Sequence, residues 1–237
     1  MKLLCFPHAG GTSETFRKWE KHLKGIELIP VDPPGRGKRM GEPLCKTIDE
    51  MVKDVKRQMQ ALIGSGEEYA VYGHSMGCLL IYEALHELWA AGFHLPVHVF
   101  LSGKNPPHIP VDTPIHQMDD AEFIKYVVQI GGVEAKFFDN PLVEKLYLPV
   151  MRADMAIVCT YCNTEKRRRL PVDASYFFAS NDRLIQFAYV KQWSDYFEGA
   201  FRMYCYEGGH FFMLDYIQEL AEIVNNTLLD EREIIPY

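Results

Sequence analysis

Long hydrophobic runs are absent from this 237-residue chain. None approaches the ~18 consecutive apolar residues of a membrane-spanning helix, so no membrane partner is expected. Positive charge is also scarce: 25 Lys and Arg against 32 Asp and Glu leave a formal charge of −7. That balance argues against a nucleic-acid or polybasic membrane binder. A disulfide framework is missing too. The six cysteines (Cys5, Cys45, Cys78, Cys159, Cys162, Cys205) are scattered without a spacing pattern, which suits a reducing compartment and predicts a cytoplasmic protein. Met1–Phe6 is too short for a signal-peptide core and is stopped by Pro7. Internal repeats and low-complexity tracts are not evident. What is there is ordinary: 48% hydrophobic and 24% charged residues, the profile of a globular protein large enough to need no metal or disulfide staple. A monomer is expected.

Short apolar runs alternate with amphipathic segments, the pattern of an α/β fold with a mostly parallel sheet and helices on both faces. Strands are predicted at Lys2–Phe6, Ile26–Val31, Tyr69–Tyr72, Val97–Ser102, Ala174–Ala179 and Phe201–Tyr206. Ser13 is read as the N-cap of a helix that buries Phe16 and Trp19. Thr47 and Glu50 form a capping box, followed by Ile48, Met51, Val52, Val55, Met59 and Leu62 at helical spacing. Further helices are expected after Ser75, around Phe187–Tyr196 and near Asp215–Leu228. Between about 104 and 170 the rhythm breaks. Four prolines open a segment with two helical patterns and no strand, which predicts a helical lid inserted into a single domain whose core is 1–103 and 171–237.

Gly73-His74-Ser75-Met76-Gly77 matches G-x-S-x-G, placed after an apolar strand and opening a helix. Both glycines have a steric reason: a Cβ at either would collide with the strand and helix that the turn joins. Ser75 is therefore the candidate nucleophile. A serine needs a general base held by a carboxylate, here expected in the order Ser, acid, His. His210 follows the last predicted strand, in Gly208-Gly209-His210-Phe211-Phe212, and is the candidate base. Asp182 lies just past the strand ending at Ala179 and is the candidate acid. Its competitors are weaker. Asp154 falls within a lid helix and is read as a solvated charge, and Asp173 precedes its strand. The oxyanion hole needs two converging N–H groups. Met76 supplies one, immediately after the nucleophile, and Ala9 in Phe6-Pro7-His8-Ala9-Gly10-Gly11 supplies the other. His8 and His74 flank this region as supporting residues.

Those motifs, together with Pro34-Gly35-Arg36-Gly37 and Arg152-Ala153-Asp154, occur in one order along the chain. In combination they resemble the stand-alone type II thioesterases that accompany nonribosomal peptide and polyketide synthases, within the α/β-hydrolase superfamily. The similarity runs from Leu3 to about Leu228. It implies hydrolysis of acyl or aminoacyl groups from the phosphopantetheine thiol of carrier proteins, clearing stalled or mis-primed arms with no cofactor. The family roles then fall on Ser75, Asp182 and His210 as triad and on Ala9 and Met76 as oxyanion donors.

Other features carry weaker readings. His8, Phe123, Tyr126 and Met151 are candidate substrate or lid contacts, with Phe137 and Phe138 as further acyl-channel candidates. Lys166-Arg167-Arg168-Arg169 is a solvated turn or, more sharply, a patch for an acidic carrier protein through Arg167, Arg168 and Arg169. Arg36, Lys38 and Arg39 could flank the approach of a pantetheine phosphate. Cys159-x-x-Cys162 lacks a second pair, so no metal is expected. Two competing functions stand beside the first: a generic carboxylesterase or acyl-CoA thioesterase with the same triad, and a non-catalytic binding protein on the same fold.

Overall fold

The computed structural model describes residues 1–165 and 167–229. Six strands form one all-parallel sheet in the order β2-β1-β3-β4-β5-β6. They are β1 (Lys2–Phe6), β2 (Glu27–Pro30), β3 (Tyr69–His74), β4 (His98–Ser102), β5 (Asp173–Ala179) and β6 (Phe201–Tyr206). A strand buried on both faces reads as a continuous apolar run, and its side chains still divide alternately between two cores. Leu4, Phe6, Val71, Val99, Leu101 and Tyr176 enter one core. Leu3, Cys5, Tyr72, Phe100 and Phe177 enter the other.

Helices cover both faces. α1 (Ile48–Leu62) and α2 (Met76–Ala90) lie on the first side, burying Met51, Val55, Met59, Leu80 and Leu85. α6 (Ile217–Leu229) covers the second through Leu220, Val224 and Leu228. The Thr47 cap of α1 is as expected, its side chain accepting from the Glu50 amide at 3.2 Å. The cap proposed at Ser13 is not. Thr12 caps that segment, which is a 3₁₀ helix from Ser13 to His22. Ser13 instead spends its amide and hydroxyl on the Asp32 carboxylate, at 2.7 and 3.1 Å. Asp32 comes from the loop after β2, a partner that local spacing does not reveal. Phe187–Tyr196 is likewise split into a short α5 (Phe187–Val190) and a 3₁₀ turn (Lys191–Tyr196).

Between β4 and β5 lie α3 (Asp120–Ile130) and α4 (Pro141–Thr160), joined by a 3₁₀ turn at Ala135–Asp139. Phe123, Val127, Met151, Met155 and Ile157 carry these helices onto the same core as α1 and α2. No helix among the described residues is long and apolar enough to cross a membrane. The order 2-1-3 makes the gap between β1 and β3 the topological switch point, where open parallel sheets place their ligand crevice at the carboxyl ends of the strands.

Candidate active site

β3 runs through Gly73 and His74 into Ser75, which holds φ 55 and ψ −115. Among the described residues it is the only non-glycine with positive φ. Such a conformation costs of order 1–3 kcal/mol and persists only where its surroundings fix it. Here the Ser75 amide donates to Ser102 O on β4 at 2.7 Å, and the Cys78 amide donates back to Ser75 O at 3.0 Å. The glycines leave no alternative. A Cβ on Gly77 would stand 2.2 Å from Phe6 O of β1, and one on Gly73 would stand 2.7 Å from the Gly77 carbonyl carbon. Strand, turn and helix thus meet at backbone contact. Ser75 is left at the N-terminus of α2, where the amides of the first turn have no intrahelical acceptor and the dipole is positive. Met76 provides the first of those amides.

Two loops from the far strands bring a carboxylate and an imidazole together. After β5, Ser180 and Asn181 donate their amides to Tyr206 O and Gly208 O, at 2.9 and 3.0 Å. Gly208, at φ +118, turns the β6 loop back. His210 Nδ1 then lies 2.8 Å from Asp182 Oδ2, while Asp182 Oδ1 accepts the Leu184 amide at 2.9 Å. The Asp182 side chain is wholly buried and His210 is 4% exposed. With its Nδ1–H donated to the carboxylate, the ring keeps Nε2 free to accept a proton. Two neighbouring histidines are held neutral. Burial, then His210 and Arg36, lower the pKa of His8 to about 3. Burial likewise pushes His74 well below the ordinary range, and its Nδ1 lies 3.0 Å from Ser102 Oγ.

Ser75 and His210 open into one cavity of about 90 Å³, lined also by His8 and Ala9, by Val127 of α3 and by Met151, Met155 and Val158 of α4. The Ala9 amide has no hydrogen-bond acceptor among the described residues. Lys104, just beyond β4, also lines the cavity, and its burial lowers its pKa. The space therefore presents a strained hydroxyl, a carboxylate-oriented imidazole and backbone amides, roofed by apolar side chains. That combination is suited to acyl transfer through a serine.

A family model described as thioesterase domain matches residues 1–228. This chain belongs to the thioesterase domain family. It is 30% identical over 231 residues to linear gramicidin dehydrogenase LgrE of Brevibacillus parabrevis, covering 95% of this chain and 87% of that one. To thioesterase PikA5 of Streptomyces venezuelae it is 27% identical over 233 residues, covering 98% and 82%. In structure it is similar to ClbQ of the colibactin NRPS/PKS pathway, with a TM-score of 0.91, 28% identity and 99% of each chain covered. The α/β-hydrolase architecture expected from the sequence is thus the fold of this thioesterase and its structural neighbours.

The structure of the thioesterase gathers Ser75, His210, His8, Ala9, Tyr126 and Met151 around the cavity. Other candidates lie elsewhere. Phe123 is fully buried in the core and packs under the Arg152 guanidinium rather than on the cavity. Phe137 faces a separate groove. The phosphate approach expected of Arg36 and Arg39 is also corrected. Arg36 is buried against Asp154, and Arg39 is paired with Asp54 and Glu42. Asp154, read as a solvated charge, has no exposed surface. Local spacing puts Asp154 on the face of α4 that buries Val150, Met151, Ile157 and Val158, but it does not reveal the guanidinium that pairs with it.

The basic run is largely committed within the chain. Arg167 pairs with Glu83 of α2, which also accepts from Tyr161 and Asn163. Arg169 donates to Ser194 O and Phe197 O. Arg168 keeps an exposed side chain, 72% accessible, with Nε 3.9 Å from Glu198 Oε1 and its guanidinium stacked over Trp89 at 4.6 Å. Lys166 lies outside the described residues. Among the described residues no group of three or more His, Cys, Asp or Glu could hold a metal ion. Met155 and Val158 escape the sequence reading because their place at the cavity depends on how α4 packs onto the core, whereas Lys104 follows directly from the carboxyl end of β4.

Proposed function

We propose that this thioesterase hydrolyses acyl or aminoacyl groups from the phosphopantetheine arm of carrier proteins, regenerating stalled or mis-primed arms in nonribosomal peptide or polyketide synthesis. One observation carries the reading. A serine held at φ 55 on the N-terminus of a helix shares a cavity with a histidine whose Nδ1 lies 2.8 Å from a buried aspartate. Membership in the family and the relatives' place in such pathways supply the substrate class.

Ser75 Oγ attacks the thioester carbonyl carbon while its proton passes to Nε2 of His210. Asp182 keeps the ring oriented and stabilises the imidazolium without taking the proton. Negative charge gathers on the carbonyl oxygen, and the amides of Ala9 and Met76 donate to it. Each such donor is worth ~3–4 kcal/mol of barrier. As the carbon–sulfur bond breaks, His210 returns the proton to the pantetheine sulfur. Water, deprotonated by the same imidazole, attacks the acyl-serine, and as the second tetrahedral species collapses His210 returns that proton to Ser75 Oγ, releasing the free acid. The scheme calls on no metal or redox cofactor. The helices of residues 104–170 act as a lid over the acyl group, and the carrier protein is the expected partner.

The test compares kcat/KM for one acyl group presented on carrier protein, on coenzyme A and as a simple oxygen ester. A clear preference for the carrier protein is expected, with mass spectrometry showing the arm returned to its free thiol. Equal turnover of all three identifies a general esterase. Failure of a fluorophosphonate probe to label Ser75 identifies a binding protein.

A further inference from the structure

The loop that carries Ala9 is held by the insertion. The amide of Gly10, the next residue in the chain, donates to Asp154 Oδ2 on α4 at 2.7 Å. Asp154 is fully buried, and its carboxylate is gripped from the other side by the Arg36 guanidinium. Nη2 bonds Oδ1 at 2.8 Å, and Nη1 contacts Oδ2. Arg36 is itself tied to Pro34 O through Nε and Nη2, both at 3.3 Å. Three segments distant in sequence therefore meet on one carboxylate: the loop after β1, the loop after β2 and the long helix of the insertion. Met151, one turn before Asp154, presses on the same point. A Cβ on Gly10 would stand 1.7 Å from its Sδ, and Gly10 holds φ +75.

We infer that Asp154, locked in place by Arg36, is a positioning residue for the oxyanion hole, so that seating α4 on the core completes the site. The inference rests on the hydrolytic reading above and on Ala9 as an oxyanion donor. Its physical basis is preorganisation: a donor lowers the barrier only if it is already aimed where charge develops. The Ala9 amide belongs to a glycine-rich bend closed by the Gly11 amide on His8 O at 2.9 Å, and one turn bond by itself leaves the central Ala9–Gly10 peptide free to flip. Fixing the adjacent Gly10 amide to a buried charge removes that freedom at one residue's distance. A pair that merely held the fold together would be replaceable, because buried ion pairs can often be exchanged for apolar groups without loss of stability.

Two double variants separate these roles: Arg36→Met with Asp154→Leu, and Arg36→Met with Asp154→Asn. Both remove the two charges, but only the asparagine keeps an oxygen for the Gly10 amide. The leucine variant is expected to keep its melting temperature within a few degrees and to lose about 10- to 100-fold in kcat, with KM little changed. That loss is part of the ~10²–10³-fold that follows outright removal of an oxyanion donor. A trifluoromethyl ketone analogue, which forms an anionic adduct with the serine, should bind more weakly by the same factor as kcat/KM falls. The asparagine variant should recover most of the kcat and the ketone affinity.

Equal kcat in the two variants overturns the inference, as does a loss confined to KM with ketone affinity unchanged. Should the leucine variant not fold, the asparagine variant decides against wild type. Gly10 amide protection with kcat within about threefold supports the role, and a protected amide with a large loss of kcat refutes it. If the wild type hydrolyses no thioester at all, the hydrolytic reading has failed instead.

Discussion

The amide of Ser75 donates to the carbonyl of Ser102 across the β3–β4 boundary at 2.7 Å. The strained turn is thus fastened to the neighbouring strand as well as to its own helix. The residue that would attack the substrate is fixed by sheet pairing, while the group that would take its proton arrives on a separate loop fixed by Asp182. The two halves of the site can be perturbed independently.

Asp182→Asn should leave the fold intact and reduce kcat by about 10³–10⁴-fold with KM nearly unchanged. The amide can present its NH₂ to Nδ1, which selects the wrong imidazole tautomer and no longer stabilises the imidazolium. Steady-state kinetics beside a melting curve checks this. A variant within tenfold of wild type removes Asp182 from the mechanism.

Gly77→Ala probes the elbow through sterics alone. Its new Cβ would meet the Phe6 carbonyl oxygen at 2.2 Å, a backbone atom that cannot rotate away. Overpacking of this kind costs ~1–3 kcal/mol. A depressed melting temperature with reduced fluorophosphonate labelling of Ser75 is expected, because moving α2 away from β1 carries Ser75 and the Met76 amide away from the Ala9 loop. An unchanged melting temperature would show that the contact can relax.

Arg167→Glu and Arg168→Glu should behave differently although adjacent. The first places a carboxylate beside Glu83, which is only 11% exposed in its side chain, and is expected to cost about 1–2 kcal/mol, allowing for the partial exposure of the arginine. The second changes an exposed charge. It should cost only about 0.5–1 kcal/mol through its exposed contacts with Trp89 and Glu198, and raise KM for acyl-carrier protein about two- to fivefold with small thioester turnover intact. Equal loss on both substrates removes Arg168 from any docking surface.

Acid sensitivity is expected from His8, His74, His86 and His98, whose pKa values burial lowers; of these, His98 sits at the start of β4, away from the catalytic end of the sheet, and can be replaced alone. His98 Nε2 lies 3.0 Å from Ser175 Oγ, and burial lowers its pKa to about 4, against about 6.5 in the unfolded chain. Between those values the unfolded state binds more protons than the folded one. Stability therefore falls as pH drops from about 6.5 to 4, by up to ~1.4 kcal/mol per pH unit from this residue. His98→Asn should flatten the pH dependence of the melting temperature over that window; the same slope in both proteins would assign the sensitivity to other groups.

Much of this was legible in the amino-acid order because the signals are local. Strand alternation, the Thr47 cap and the glycines around Ser75 each depend on residues a few positions apart, and backbone sterics leave those patterns few solutions. His210 and Asp182 were reachable because connections between parallel strands fix which ends of the sheet the loops occupy. Asp154 was misread for the opposite reason. Whether a charge on a helix meets water or a buried guanidinium depends on what the other face of the fold delivers. The same is true of Arg167, which spacing presents as part of a free basic run until Glu83 is brought beside it.

The sequence by itself determined the strand–helix alternation, the strained serine turn and the end of the sheet at which Ser75, Asp182 and His210 lie, since each follows from short-range sterics and the directionality of a parallel sheet. Only the tertiary structure decided which arginines are spent on internal carboxylates, which insertion residues face the cavity, and that the Gly10 amide is held by Asp154. The decisive contacts join distant segments: Arg167 and Glu83 are 84 residues apart, Arg36 and Asp154 118, and Gly10 and Asp154 144. The cost of burying a charge is met only when the distant partner arrives.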